Sequence, residues 1–246
     1  MTHARAIDTQ RLSTLAHEYE REILQFFRDL LAFPGENGHS QAIFERIRHE
    51  VEKAPYEEIR VDAAGNLLTR IGSGSHKIML HAQGSTAGAA GAAGIVYAGR
   101  LIHELGMYDD FTLWVASSVD KESRSLARIP ALERGGLRPD AVLLAQPTNL
   151  CIQMREAAVE GFLSESHPLV QAAIATYETL FELPPIVTQS PSPAAPLGIP
   201  AIAFGAGEDG TSARPSAEPV SVRHLLKAAQ FYAAFPVMYV DAMKRR

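Results

Sequence analysis

The sequence is poor in cysteine, in basic tracts and in long apolar runs, and each shortage excludes a class of protein. Cys151 is the only cysteine, so no internal disulfide and no cysteine-rich zinc site can form, and a reducing cytoplasm is the expected location. Lys and Arg number 23 against 28 Asp and Glu, and no basic tract occurs, which argues against a nucleic-acid ligand. The apolar runs fall short of the roughly 20 residues that span a membrane.

The remaining composition is that of a globular protein. Hydrophobic residues make up 46% of the 246 residues, which is enough for a core and excludes wholesale disorder. The first ten residues lack the apolar stretch of a signal peptide. No linker or internal repeat divides the chain, so we predict a single domain over residues 1–246, without a membrane anchor.

Strand and helix patterns alternate along the chain. Helical spacing of apolar residues predicts helices over 10–33, 40–53, 95–105, 123–133, 167–183 and 219–234. Apolar runs predict strands over 58–61, 66–71, 77–81, 111–119, 141–145, 151–157 and 199–204, and the proline-rich residues 184–200 are expected to be loop or edge strand. Several strands are apolar on both faces, which is typical of strands covered by helices on two sides. The fold class predicted is therefore α/β, a three-layer sandwich with a mixed, mostly parallel central sheet.

Local motifs favour structural roles. Gly205–Gly210 matches G-x-G-x-x-G, but loop-forming residues follow it where a dinucleotide site needs a helix, so a tight turn is the better interpretation. Ser85 is second rather than third in its GSTAG segment and misses the pattern of a nucleophilic serine. None of the nine histidines forms a zinc-type H-x-x-x-H or H-x-H pair. His81 stands out because it ends a predicted buried strand.

Four segments together resemble one enzyme family. They read VDAAGNLLTRIGSG, IVYAGRLIHELGMYDDFTLWVASSV, GLRPDAVLLAQPTN and GIPAIAFGAGEDG. Their order and spacing are similar to those of the di-zinc aminoacylase and carboxypeptidase family, which includes acetylornithine deacetylase and succinyl-diaminopimelate desuccinylase, and most of all to the selenium-metabolism-linked hydrolases. The resemblance covers most of residues 15–155 and 167–236. It implies a zinc-exopeptidase-like catalytic domain.

The resemblance also implies that the first part of the metal site has changed. Family members carry His-x-Asp after the strand that here reads KIMLH, with the His on zinc and the Asp orienting it. Gln83 and Ser85 occupy these positions. The Asp that bridges both metals in the family falls at Ala87, inside the Gly/Ala tract 84–94. Whether this tract is an ordered helix start or a loop stays open at the level of sequence.

The other ligand positions change in the same way. The general base of the family falls at Lys121 and the following metal ligand at Glu122, directly after the predicted strand 111–119. The ligand of the family's Glu-Pro-Thr segment falls at Gln146, and the C-terminal ligand His at Ala213. With His81, these positions make up a vestigial pocket. The family's lid and dimerisation domain, expected after strand 151–157, is predicted to be deleted near 158–166.

These replacements remove the expected chemistry. Zinc is held by imidazole, thiolate or carboxylate, and only Glu122 keeps such a group among the expected ligands. We therefore predict no metal, no other cofactor and no catalytic residue. The leading hypothesis is a non-catalytic homologue that binds a partner protein or a small molecule. One alternative is a hydrolase with metal-independent chemistry around Ser85 and Lys121. Another is a structural or assembly subunit, whose oligomer would not form through the family's lid interface.

Overall fold

A nine-stranded sheet runs through the computed structural model, which describes residues 7–33, 40–62, 65–85, 88–108, 110–118, 137–157, 161–193, 199–208 and 220–245. The described strands are β1 (Glu58–Val61), β2 (Leu67–Ile71), β3 (His76–Gln83), β4 (Phe111–Ser118), β5 (Ala141–Ala145), β6 (Ile152–Ala157), β7 (Gly161–Phe162), β8 (Val187–Pro193) and β9 (Ala201–Phe204). The described helices are α1 (Thr9–Glu18), α2 (Glu20–Ala32), α3 (Ser40–Glu52), α4 (Ala89–Glu104), α5 (Pro168–Phe181) and α6 (Val222–Lys244).

The sheet is mixed, with a parallel centre. Its order is β1-β2-β4-β3-β5-β9-β6-β7, and β8 pairs with β6. The central strands β4, β3, β5 and β9 run parallel, whereas β2 and β6 are antiparallel to their central neighbours. The α/β class and the mixed sheet are confirmed. The proline-rich residues 184–200 do contribute a strand, β8, whose partner among the described strands is β6.

The described helices all pack on one face of the sheet. Side chains from all six helices share a buried cluster with one set of strand residues, such as Leu80 and Ala82 of β3. The alternate strand residues face the other way and form a second, strand-based cluster that includes Met79, Trp114 and Leu144. The helix predicted at 123–133 lies outside the described residues. No helix in the described ranges has the length and apolarity needed to cross a membrane.

Two predicted helices differ in extent from the structure. The single helix predicted over 10–33 is divided at Tyr19, whose ring packs 4.5 Å from the Arg100 guanidinium. The Tyr19 backbone has ψ 0°, outside the regular helical range, although hydrogen bonds from Tyr19 to Leu15 and from Ile23 to Tyr19 bridge the interruption. The last helix runs on to Lys244 instead of ending near 234, with Pro236 inside it. Proline removes a backbone donor and crowds the carbonyl four residues earlier, and the buried residues Val237 and Val240 beyond it keep the helix on the core despite this cost.

The Gly/Ala tract begins a helix. Gly88 is the N-cap of α4, and the following alanines and glycines are buried. A Cβ added at Gly91 would lie 2.1 Å from the carbonyl oxygen of Ala145, and one at Gly88 would lie 2.0 Å from that of Gln83. Small residues therefore let the first turn of α4 lie directly against the ends of β5 and β3. This close approach places the start of α4 beside the carboxyl ends of β3 and β5.

Candidate functional site

The carboxyl ends of β3 and β5 are where the topology favours a ligand site. From β3 the chain passes through α4 to β4 on one side, whereas β5 leads towards β6 on the other. Open α/β sheets bind ligands at such a switch point, outside the carboxyl ends of the strands. Of the described residues of the vestigial pocket, Gln83, Ser85 and Gln146 lie at or just beyond these two strand ends. His81, predicted to end its strand, lies inside β3, which runs on to Gln83.

His81 is buried on the sheet face opposite the described helices. Leu80 and Ala82 face the helices, so the intervening His81 points to the other side. Only 5% of the residue is exposed, and its Nε2 lies 3.2 Å from the Ser118 hydroxyl of β4. Burial lowers the pKa of His81 to about 4, because the charged imidazolium is poorly solvated there. The imidazole is therefore neutral at physiological pH.

Gln146 contacts a buried arginine that the sequence analysis did not single out. Arg155 of β6 is 6% exposed, and its Nη2 donates a hydrogen bond to Gln146 Oε1. Its Nη1 donates to Ser190 Oγ at 2.6 Å, directly across the β6–β8 ladder. The sequence gives no clear signal for this role, because the strand reads IQMREA and Arg155 lies between Met154 and the charged Glu156. The side-chain oxygen of Gln146 is thus bound by a guanidinium.

The turn that carries Gln146 is tied to the chain after β9. The Gly205 amide donates to the Thr148 hydroxyl at 3.0 Å, and the Leu150 amide donates to the Gly205 carbonyl at 2.9 Å. Asn149 and Leu150 both have left-handed φ angles, 51° and 61°, which costs energy for residues with a Cβ and needs such support. Gly207, with φ 96°, takes part in the same turn. The described residues 205–208 of the G-x-G-x-x-G segment form a bend, and the remainder of the segment lies outside the described residues.

Ser85 has a structural contact in the turn before α4. The Gly88 amide donates to Ser85 Oγ at 3.1 Å and to the Ser85 carbonyl at 3.0 Å. Four other predicted site positions, Ala87, Lys121, Glu122 and Ala213, lie outside the described residues. The structure therefore brings Gln83 and Ser85 to one end of α4, and Gln146 to Arg155, while the Ser85–Lys121 geometry stays a prediction.

The described side chains of this site do not fit a zinc centre. Within the described ranges, no group of three or more His, Cys, Asp or Glu side chains comes together. Gln83 and Ser85 offer an amide and a hydroxyl, which are weak zinc ligands. His81, the one imidazole at these strand ends among the described residues, lies within hydrogen-bond distance of Ser118.

Comparison with known proteins supports the fold. No protein-family model matches the chain. It is 28% identical over 164 residues to the uncharacterized protein YgeY of Escherichia coli K12, a match that spans 54% of this chain and 41% of YgeY. The chain thus spans less than half the length of this curated relative.

Solved structures extend the comparison to nearly the whole chain. The di-peptidase Dug1p of Saccharomyces cerevisiae superposes with a TM-score of 0.75 at 6% identity, over 95% of this chain and 99% of that chain. YxeP of Bacillus subtilis, described as a dinuclear metal-binding peptidase of the M20 family, gives 0.71 at 11% identity, over 92% and 99%. The chain therefore has a peptidase-like α/β fold, and at such low identity the likeness shows the fold alone.

Acid should destabilise the protein through His81. The unfolded chain binds a proton on His81 below its ordinary pKa of about 6.5, whereas the folded chain binds it only near pH 4. Stability should therefore fall as the pH decreases from about 6.5 to about 4, by about 3 kcal/mol from this residue. Urea unfolding of the parent and of His81→Gln across this range measures the effect. Equal slopes for the two proteins would contradict it, and an NMR titration gives the His81 pKa directly.

Proposed function

We propose that the chain is a non-catalytic relative of the di-zinc peptidases and deacylases, which binds a partner protein or a small molecule at the former active-site cleft. The observation that carries the proposal is the contact between Arg155 and Gln146. By the resemblance, Gln146 stands in place of a family metal ligand, and this contact shows which residue its side chain binds.

The electrostatics of this contact support the loss of metal. A guanidinium stays protonated in proteins, and Arg155 is buried, where charges are screened less than at the surface. Two unit charges 4 Å apart interact by about 4 kcal/mol at an effective dielectric constant of 20, and a dication would double that value. A zinc ion at Gln146 would meet this repulsion without a carboxylate from Gln146 to offset it.

Other features are consistent with the same proposal. By the resemblance, ligand and base positions are also replaced at Gln83, Ser85, Ala87, Lys121 and Ala213. We further propose that the chain is one domain over residues 1–246 and that the family's lid is deleted near 158–166. In support, α5 begins at Pro168, soon after β6 ends at Ala157. The single cysteine keeps the cytoplasm as the proposed location.

A zinc titration by calorimetry, combined with an amidase assay, tests the proposal. The metal-free protein is titrated with zinc, and release of amine from N-acetyl amino acids and dipeptides is measured with and without the metal. We expect no stoichiometric binding at micromolar zinc and no turnover above the protein-free rate. Tight binding together with hydrolysis would overturn the proposal. The same acyl amino acids, added in thermal-melt experiments, test for ligand binding, since a bound ligand raises the melting temperature.

The alternative based on Ser85 has less support. Its hydroxyl accepts the Gly88 amide at the start of α4, which is a structural role for a serine in such a turn. In the assay above, turnover that needs no metal and is lost in Ser85→Ala would favour this alternative. Ser85→Thr keeps the hydroxyl and serves as the matched control for folding.

A further inference from the structure

The outer edge of β1 is open for pairing. Among the described strands, β1 pairs with β2 and stands at one end of the sheet. Ile59 and Val61 are 37% and 48% exposed. The strand contains no proline, whereas β8, beside β6, contains Pro191 and Pro193, which lack the donor for a further ladder. An unblocked edge with exposed apolar side chains is a template for another strand.

The hydrogen-bonding pattern shows which backbone groups are available. The Asp62 amide donates to the Asn66 carbonyl at 3.0 Å, where the β1–β2 hairpin closes. Antiparallel partners alternate between bonded and non-bonded pairs, so the pairs Arg60–Leu68 and Glu58–Arg70 are the bonded ones. Ile59 and Val61 therefore present their N–H and C=O groups to the open edge.

The side chains of β1 carry opposite charges on one face. Glu58 and Arg60 lie 3.1 Å apart, carboxylate oxygen to Nε, and the Arg60 guanidinium is 5.2 Å from the Trp114 ring centre. Both charged residues therefore lie on the Trp114 side of the sheet. Ile59 and Val61 point to the other side, since neighbouring residues of a strand alternate.

We propose that β1 pairs in antiparallel orientation with β1 of a second copy of this chain, around a two-fold axis at Ile59. In this register Ile59 lies opposite Ile59 of the second copy, and Glu58 lies opposite its Arg60, twice by symmetry. Opposite charges across an antiparallel pair are favourable and like charges are not. This inference is independent of the proposed function.

The neighbouring registers are excluded by charge. A shift by one residue places Arg60 opposite Arg60 and Glu58 opposite Asp62. A shift the other way places Glu58 opposite Glu58. The strand has only four residues, so the interface is smaller than a standard one and the dimer is expected to be weak.

Sedimentation equilibrium at protein concentrations from about 10 µM to about 1 mM tests the dimer, because small interfaces form weak complexes. We expect a monomer–dimer equilibrium. Glu58→Arg alone and Arg60→Glu alone should each weaken self-association by about tenfold, because like charges then face each other. An equimolar mixture of the two variants should restore it, since each strand then complements the other. A chain that stays monomeric throughout, or a mixture as monomeric as its components, overturns the proposal.

Disulfide trapping tests the register. Bonded antiparallel partners have Cα atoms about 5.5 Å apart, within the range that a disulfide bridges. Ile59→Cys, in a Cys151→Ser background, should cross-link two copies under mild oxidation. Val61→Cys is the matched control, since Val61 faces Glu57 of the second copy and the two Val61 residues are far apart. Cross-linking of Val61→Cys as fast as that of Ile59→Cys overturns the register.

Discussion

Gly91→Ala should lower the free energy of unfolding by about 3 kcal/mol, at the upper end of the range that overpacking of a core usually costs. The added Cβ would lie 2.1 Å from the Ala145 carbonyl oxygen, far inside van der Waals contact. The obstructing atom belongs to the backbone of the central strand β5, so α4 as a whole must move away. Alanine's better helix propensity, about 1 kcal/mol over glycine, offsets only part of this cost. Urea denaturation measures the loss, and a melting temperature about 6–12 °C lower should accompany it.

Gly65→Ala is the control for this substitution. A Cβ at Gly65 has no atom within 4 Å, although φ is +82°, so its cost is the left-handed penalty of about 1–2 kcal/mol alone. If Gly91→Ala unfolds at the same urea concentration as the parent, then α4 does not lie as close to β5 as described. If both glycine substitutions cost the same, steric contact is not the cause of the loss at Gly91.

Strands that are buried on both faces could be predicted from the sequence because they read as continuous apolar runs. Ala141–Ala145 is apolar throughout and is β5 to the residue. The exposed strand Glu58–Val61 is predicted instead as one of two strands around the turn at 62–65, and it is β1 with the same bounds. The break at Tyr19 could not be predicted in this way. The apolar spacing continues through Tyr19 without interruption, and the Tyr19 ring contacts Arg100 of α4, which is distant in sequence. Tertiary contacts of this kind leave no local pattern.

The candidate site, too, could be predicted from the sequence only in part. The resemblance places Gln83 and Gln146 at the ends of two strands, and the structure has them there. What sequence could not supply is the neighbour of each side chain. Arg155 meets Gln146 because β6 and β5 flank β9 on opposite sides. That order of strands follows from long-range pairing, which no single segment encodes.

Arg155→Met should destabilise the protein by about 3 kcal/mol, because two hydrogen bonds from a charged donor to neutral acceptors are lost, each contributing about 1.5–3 kcal/mol. The substitution keeps an unbranched side chain of similar length but removes the donors to Gln146 and Ser190. Both acceptors then lose a charge-assisted hydrogen bond. Arg155→Lys is the matched control that keeps the charge. An ammonium is compact and lacks the guanidinium fork, so Arg155→Lys should lose most of the same stability.

A double-mutant cycle shows whether the Arg155–Gln146 contact exists in solution. Arg155→Met, Gln146→Leu and the double variant are unfolded in urea beside the parent. Residues in one hydrogen-bonded network couple by about 0.5–3 kcal/mol, so the double variant should lose less stability than the two single variants added together. Additive losses would mean that the guanidinium does not hold Gln146. A zinc ion at Gln146 would then meet no repulsion from Arg155, because the repulsion requires the guanidinium to lie next to Gln146.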